Sequence, residues 1–325
     1  MNQEFLKNIP KPILLKLGRI NLAVPSKNAH EAIDELLSKT VLMGGKRLRP
    51  LLTYLFSDFV GLSLDRADVS AKAIEMVHAA SLAHDDVIDE ATQRRGQASI
   101  NIQADNKRAV LAGDYLLAAV IGELCRQGNL DLVSEMAWVI EELASGEWVQ
   151  ADAVLSRQYT KEILEQIALK KTSSVMSWCA VAPVILAGHS EELKVASREF
   201  GHHLGLAFQY LDDTLDFSGE SKKDTLLDLK NGQVNSVVFE WLVLNPEHKK
   251  AYEDGADIGA VFDSGSCLDE ATEKVQAEAH YHLEECRKLL EAMKSQLKNF
   301  RSEKELIEAQ KSINYILNYL GKRRS

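Results

Sequence analysis

The chain has 325 residues, 46% apolar and 26% charged, which is ample material for a large core and unlike a disordered or fibrous composition. Its net charge of −10 argues against general nucleic-acid binding, so any anionic ligand must be held by local basic clusters. Four cysteines (Cys125, Cys179, Cys267 and Cys286) lack C-x-x-C spacing, so neither a disulfide framework nor a zinc knuckle is indicated, and the pattern fits a reducing cytoplasm.

The opening MNQEFLKNIPKPILLKLGRI has no apolar stretch with a small-residue cleavage site, so no signal peptide is expected. Next, SKNAHEAIDELLSKTVLMGG sets Ile33, Leu36 and Leu37 on one helical face and predicts a stop at Gly44-Gly45. RPLLTYLFSDFVG reads as a helix with Pro50 in the first turn and Gly61 at its end. From Ser70 to Asp89, the residues Ile74, Val77, His78, Ser81, Asp85 and Asp89 recur at three- and four-residue steps, a stripe whose upper end is acidic. Val133, Met136, Ala137, Ile140 and Ala144 mark another amphipathic helix. The run WCAVAPVILAG (178–188) is too short to span a bilayer and contains Pro183, so it reads as a buried helix, and no transmembrane segment is expected. Ser190 starts a long helix through Leu193, Phe200, Leu204, Phe208, Leu211 and Leu215, and Ser302 with Glu305 forms a capping box before the last one. No convincing alternating strand, repeat or linker interrupts this pattern. Only SGESKKDTLLDLKNGQ (218–233) reads as a long functional loop. The expectation is a single all-α domain over 1–325.

Two acidic words stand out. In AHDDVIDEATQRRG (83–96), Asp85 and Asp89 are i,i+4 neighbours, so both carboxylates leave the same helix face, with Asp86 between them. Asp212, Asp213 and Asp216 in FQYLDDTLDF repeat the order, with Gln209 one turn earlier. All donors are oxygens, without a companion Cys or helical His pair, and that set suits Mg2+ completed by phosphate and water. One such cluster is more often a solvated helix end; two in apolar helices would strand charge without compensation. Basic groups complete the pattern: Lys46, Arg47 and Arg49 in GGKRLRP, Arg94 and Arg95 in RRG, Lys170 and Lys171 in LKKTSS, and Lys222, Lys223 and Lys230 in the loop. Arginine forks and lysine ammoniums hold phosphate oxygens, and beside two acid pairs they point to a diphosphate site.

These residues resemble the trans-isoprenyl diphosphate synthase (polyprenyl synthetase) family. Matching elements run in family order: GGKRLRP (44–50), HDDVID with RRG (84–96), AGDYL (112–116), GEWVQ (146–150), KT (171–172), FQYLDDTLD (208–216) and a K-x4-DL element from Lys223 to Leu229. The resemblance implies an all-helical bundle around a deep cavity, usually a homodimer. It implies an allylic prenyl diphosphate bound through Mg2+ between the two aspartate motifs. Ionisation of that substrate would give a cation that isopentenyl diphosphate attacks. By matching position, it implies Asp85, Asp89 and Asp212 as metal ligands, with Asp86, Asp213 and Asp216 supporting. Arg94, Lys171, Thr172, Gln209 and Lys223 would hold the allylic diphosphate. Lys46, Arg49, His78 and Arg95 would hold that of isopentenyl diphosphate; without the resemblance, His78 would read as a core histidine. One departure stands out. Where the family continues E-G-K-x-T-L-P, this chain has NGQVNSV (231–237), with Gln233 in place of the lysine and no proline.

A class I terpene cyclase shares the first acid motif, but its second metal motif mixes Asn/Asp, Ser/Thr and Glu, which DDTLD does not match. A metal phosphohydrolase would need additional ligand histidines, for which His202 and His203 are poor candidates. A non-catalytic partner subunit would tend to have lost the acid motifs, whereas the catalytic member of a heteromer stays open. In the family, bulky aromatic residues four or five positions before the first aspartate stop chain growth early. Here those positions hold Ser81 and Ala80, with Val77 next, all without a plug. A product longer than geranylgeranyl diphosphate is expected.

Overall fold

The computed structural model describes residues 7–24, 31–217, 229, 232–262, 265 and 267–322. The expected loop 218–233, with Lys222, Lys223 and Lys230, therefore lies largely outside the described residues. Among the described residues the fold is all-α, as expected, apart from one small hairpin. The chain divides into two compact units. The first comprises Met1–Ile140, Trp178–Val195 and Gln296–Ile313, and the second Glu141–Ser177, Ala196–Ser295 and Asn314–Ser325.

In the first unit, α1 (Lys11–Arg19) buries Ile13, and α2 (Glu31–Lys39) buries Leu37. α2 stops before the predicted glycine pair. The Thr40 hydroxyl donates to the Leu36 carbonyl, and the amides of Thr40 and Leu42 both turn back to Leu37 O. Such local bonds compete with helix continuation. α3 (Leu48–Val60) has Pro50 in its first turn and ends at left-handed Gly61, whose neighbour's amide (Leu62) closes on Ser57 O. α4 (Leu64–Ile88) starts earlier than the Ser70 stripe suggested and terminates at Asp89.

A two-stranded hairpin follows, β1 (Gln93–Arg94) and β2 (Gln97–Ala98), with Arg94 opposite Gln97. Arg95 and Gly96, both at positive φ, make its two-residue turn, the geometry a tight hairpin demands. The sequence reading missed this element, because strands of two residues leave no alternation to detect. α5 (Ile100–Gln103) and α6 (Asn106–Arg126) come next, and α6 packs along α4. Gly113 of α6 leaves room there for the His84 ring, which a Cβ would meet at 2.2 Å and displace.

α7 (Leu130–Ser156) begins in the first unit and continues in the second. The second unit then has α8 (Lys161–Ala168), a π-helical turn Leu169–Ser173, and the start of α9 (Ser174–Ala187). The later part of α9, with Trp178, Val181 and Val184 almost wholly buried, belongs to the first unit and bears out the buried-helix expectation. α10 (Glu191–Leu215) approaches the π turn and the start of α9 backbone to backbone: a Cβ on Gly201 would meet Ser177 Cα of α9 at 2.1 Å, and one on Gly205 would meet Ser173 Cα of the π turn at 2.3 Å. α11 (Ser236–Leu244), α12 (Pro246–Glu253), α13 (Ile258–Val261), α14 (Leu268–Leu297) and α15 (Glu303–Gly321) complete the chain. The capping box forms as predicted: Ser302 N donates to Glu305 Oε2 (3.0 Å) and Glu305 N to Ser302 Oγ (3.4 Å).

Candidate functional site

In the first unit the acid motif occupies the last turn of α4. Asp89 N donates to Asp85 O at 2.8 Å, so the two residues are one helical turn apart and share a face, Asp85 partly buried and Asp89 exposed. Asp86 is different. It is 0% exposed and accepts from Arg94 Nε at 2.6 Å and from the Ile100 amide at 3.3 Å. It thereby ties the end of α4 to the hairpin and to the first amide of α5, one of the four donors a helix start leaves without a helical acceptor. Asp86 acts as an anchor, and Arg94 reaches it with the guanidinium expected for phosphate.

The basic residues of this unit gather around His78. Burial first, then the positive field of Arg49, Arg95, Arg94 and Arg47, holds its imidazole well below the usual range, so the ring is neutral near pH 7. Two of these arginines are in ion pairs. Arg47 bonds Glu75 Oε1 (2.6 Å), 5% exposed, and Leu42 O (2.6 Å), while Arg94 holds Asp86. Arg95 donates to Met43 O at 2.7 Å and packs its guanidinium over Gly45, where a Cβ would stand 3.2 Å away. Lys46 is exposed, and Arg49 is partly buried. A cavity of about 190 Å³ adjoins this cluster, lined among others by Lys39, Gly44, Gly45, Arg94 and Arg95. Surplus positive charge around a neutral histidine, with space beside it, is a setting for a polyanion.

In the second unit the other acid motif ends α10. Asp216 N donates to Asp212 O at 3.2 Å, which again places the first and last carboxylates one turn apart. Asp213, 5% exposed, accepts from Gln209 Nε2 (2.8 Å) and from the Ser236 amide (3.0 Å), the first amide of α11. Burial pushes its carboxyl up, while the bonds from Ser236 and Gln209 oppose the shift. Gln209 Oε1 accepts from the Thr172 hydroxyl at 2.7 Å, so a continuous hydrogen-bond chain joins the π turn, α10 and α11. Lys171, in the same π turn, bonds Gln150 Oε1 at 2.9 Å and forms an ion pair with Glu147. A Cβ on Gly146 would lie 2.6 Å from Lys171 Cγ. π turns are uncommon and concentrate at functional sites.

Each unit therefore brings its own predicted residues together: Asp85, Asp86, Asp89, Arg94, Arg95, Arg49 and His78 in one, Lys171, Thr172, Gln209, Asp212, Asp213 and Asp216 in the other. Lys223 lies outside the described residues. Sequence reasoning missed Glu147 and Gln150, although GEWVQ was in view, and missed Glu75 and His84 with its neighbours Gly113 and Asp114. Those pairings are tertiary, and spacing alone does not encode them. Of the chain-length positions, Val77 and Ala80 are 0% exposed and Ser81 is partly buried, its hydroxyl donating to His78 O.

Among the described residues no three His, Cys, Asp or Glu side chains converge as a ready-made metal cage. Each motif offers a carboxylate pair on one helix face. That all-oxygen set fits magnesium, which keeps water and substrate phosphates in its shell.

The family model described as polyprenyl synthetase matches residues 30–261. Solanesyl-diphosphate synthase 1, mitochondrial, of Oryza sativa subsp. japonica is 35% identical over 233 residues, 66% of this chain and 54% of that protein. Decaprenyl-diphosphate synthase subunit 1 of Schizosaccharomyces pombe is 32% identical over 284 residues, 76% of this chain and 73% of that one. The crystal structure of a decaprenyl diphosphate synthase from Rhodobacter capsulatus superposes with a TM-score of 0.77 at 26% identity, covering 99% of this chain and 97% of that one. The chain spans about half the length of the first curated relatives it matches. With a family match over most of its residues, the chain belongs to the polyprenyl synthetase family.

Proposed function

We propose that this chain is a magnesium-dependent prenyltransferase that condenses isopentenyl diphosphate with an allylic prenyl diphosphate. Its product is an all-trans polyprenyl diphosphate longer than geranylgeranyl diphosphate. The observation that carries the reading is the repeated acid motif, with its outer carboxylates one turn apart and its inner carboxylate buried, in a chain of this family. Asp85, Asp89 and Asp212 would hold the magnesium, which when bound supplies positive charge against the departing diphosphate. Lys171, Thr172, Gln209, Arg94 and Lys223 bind the allylic diphosphate. Lys46, Arg49, His78 and Arg95 bind that of isopentenyl diphosphate. The allylic C–O bond breaks with its electron pair leaving on pyrophosphate, the isopentenyl double bond forms the new C–C bond, and a proton is lost. Donors fixed before the reaction stabilise that charge separation most, and the Lys171–Glu147–Gln150 and Thr172–Gln209–Asp213 contacts fix two of them.

The long product is supported by relatives named solanesyl and decaprenyl diphosphate synthases and by small side chains at 80 and 81. The whole chain, 1–325, acts as one domain in this reading, because each unit is built from three separate segments and neither is a continuous piece. A homodimer is the assembly we propose. In the second unit α7 exposes Ala144, Trp148 (73%), Ala151 and Leu155 (82%) at three- and four-residue steps, an apolar stripe suited to a partner helix. The relative named as a subunit favours a heteromer as the alternative. No helix among the described residues is long and apolar enough to cross a membrane, and a cytoplasmic location is proposed on four free cysteines. Purified chain with magnesium, farnesyl diphosphate and labelled isopentenyl diphosphate should yield an acid-labile, organic-extractable product. Absence of incorporation, alone and with a candidate partner subunit, refutes the activity.

A further inference from the structure

The segment 232–237, where this chain leaves the family pattern, is attached to the second acid motif by two bonds. The Ser236 amide donates to Asp213 Oδ2 (3.0 Å), and Asn235 Nδ2 donates to Asp216 Oδ2 (3.3 Å). Asn235 is also the N-cap of α11, its Oδ1 accepting from the Val238 amide at 3.0 Å. The Tyr159 hydroxyl steadies the same stretch by donating to Gly232 O at 3.4 Å. Capping alone needs only an acceptor, which Ser, Thr or Asp supplies as well as Asn. Among these four, asparagine alone carries an acceptor together with an N–H donor that holds its direction. That second group lies on Asp216.

We propose that Asn235 is a positioning residue for the second acid motif: its amide clamps the Asp216 carboxylate to the start of α11, while its carbonyl caps that helix. Asp213 and Asp216 are then both tied to one helix start, and the face bearing Asp212 and Asp216 is held in one orientation for its ligand. The family motif has threonine at this place, a residue that can cap but has no amide. This chain also has Gln233 in place of the motif's lysine two residues earlier. The inference rests on the prenyltransferase reading above.

Two variants separate clamp from cap. Asn235→Thr and Asn235→Asp both keep an acceptor for the Val238 amide; the first removes the donor, and the second faces Asp216 with like charge. Calorimetric titration of magnesium in the presence of inorganic pyrophosphate should show roughly fivefold weaker binding for Asn235→Thr and a larger loss for Asn235→Asp. Melting temperatures should stay close to the parent's, and the KM for the allylic diphosphate should rise more than kcat falls. In an Asp216→Asn background, Asn235→Thr should have no additional effect. Parent-like binding by both variants, or a full effect that persists without the Asp216 charge, overturns the proposal. A parent chain that takes up no magnesium with pyrophosphate refutes the activity and this inference together.

Discussion

Asp85 and Asp86 are adjacent in sequence, yet their replacement should fail in different ways. Asp86→Ala removes a fully buried carboxylate that accepts from Arg94 Nε at 2.6 Å and from the Ile100 amide at 3.3 Å. Stripping one partner from a buried ion pair costs about 3–5 kcal/mol. The Arg94 side chain is 29% exposed and regains part of its hydration, so about 2 kcal/mol is the better figure for that half. The orphaned amide of Ile100, itself wholly buried, adds about 1 kcal/mol. The sum, about 3 kcal/mol, is a factor of roughly 150 in the folding equilibrium. In urea, with a slope near 3 kcal/mol/M for a chain of this size, the unfolding midpoint followed by circular dichroism should drop by about 1 M. Asp86→Asn keeps an acceptor for Ile100 but loses the ion pair and should fall between. Asp85→Asn should leave the midpoint within about 0.2 M of the parent while abolishing turnover, because that carboxylate is partly exposed and assigned to the metal. An Asp86→Ala chain that unfolds with the parent would refute the anchor.

Product length should respond to Ser81→Phe, which enters a partly buried position and should shorten the prenyl chain without unfolding the protein. Ala80→Phe, at a position with no exposure, should shorten it only at a cost of about 1–3 kcal/mol in stability. Reversed-phase separation of the dephosphorylated products decides, and unchanged lengths in folded, active variants would exclude this helix as the floor. His282, 8% exposed and 2.8 Å from His203 Nδ1, has its pKa lowered to about 4, by burial first and then by the His203 ring. A depressed histidine is neutral in the folded chain but protonates in the unfolded one. Stability should therefore be full above pH ~6.5 and decline as pH falls toward about 4, by roughly 2 kcal/mol for this group. His282→Gln should flatten that slope in urea titrations between pH 7 and 4.5, and an unaltered slope would contradict the assignment.

Much of this was legible in the sequence because helices announce themselves by period. The stripes ending in Asp85–Asp89 and Asp212–Asp216 needed only the four-residue step, and the Ser302–Glu305 box only its spacing. Boundaries set by single local bonds were harder. Thr40 ends α2 early through a hydroxyl bond to Leu36, leaving Gly44 and Gly45 to serve the loop before α3 and the close approach of Arg95. Contacts between distant residues were not legible. GEWVQ could be seen as a motif, but not that its Glu147 and Gln150 hold Lys171, nor that Gly201 and Gly205 let α10 close on α9 and the π turn. The basic clusters were read as phosphate tools, and their order in sequence did not show that Arg47 and Arg94 also reach Glu75 and Asp86.

The repeated acid motif explains itself through helix geometry. Residues one and five of D-D-x-x-D are a full turn apart and share a face, while the second is rotated by about 100° and points elsewhere. In both motifs that second residue is buried, and a buried carboxylate must find donors or lose its charge. Both find the same kind: the first amide of the next helix (Ile100 or Ser236), plus one side chain (Arg94 or Gln209). The choice of side chain follows from those donors. An asparagine at 86 would still accept from Ile100 but would bring no charge to the guanidinium. A glutamate would force another methylene into a site with no exposure. Aspartate satisfies both donors in that volume. The inner residue of each motif is thus dictated by packing and hydrogen bonding.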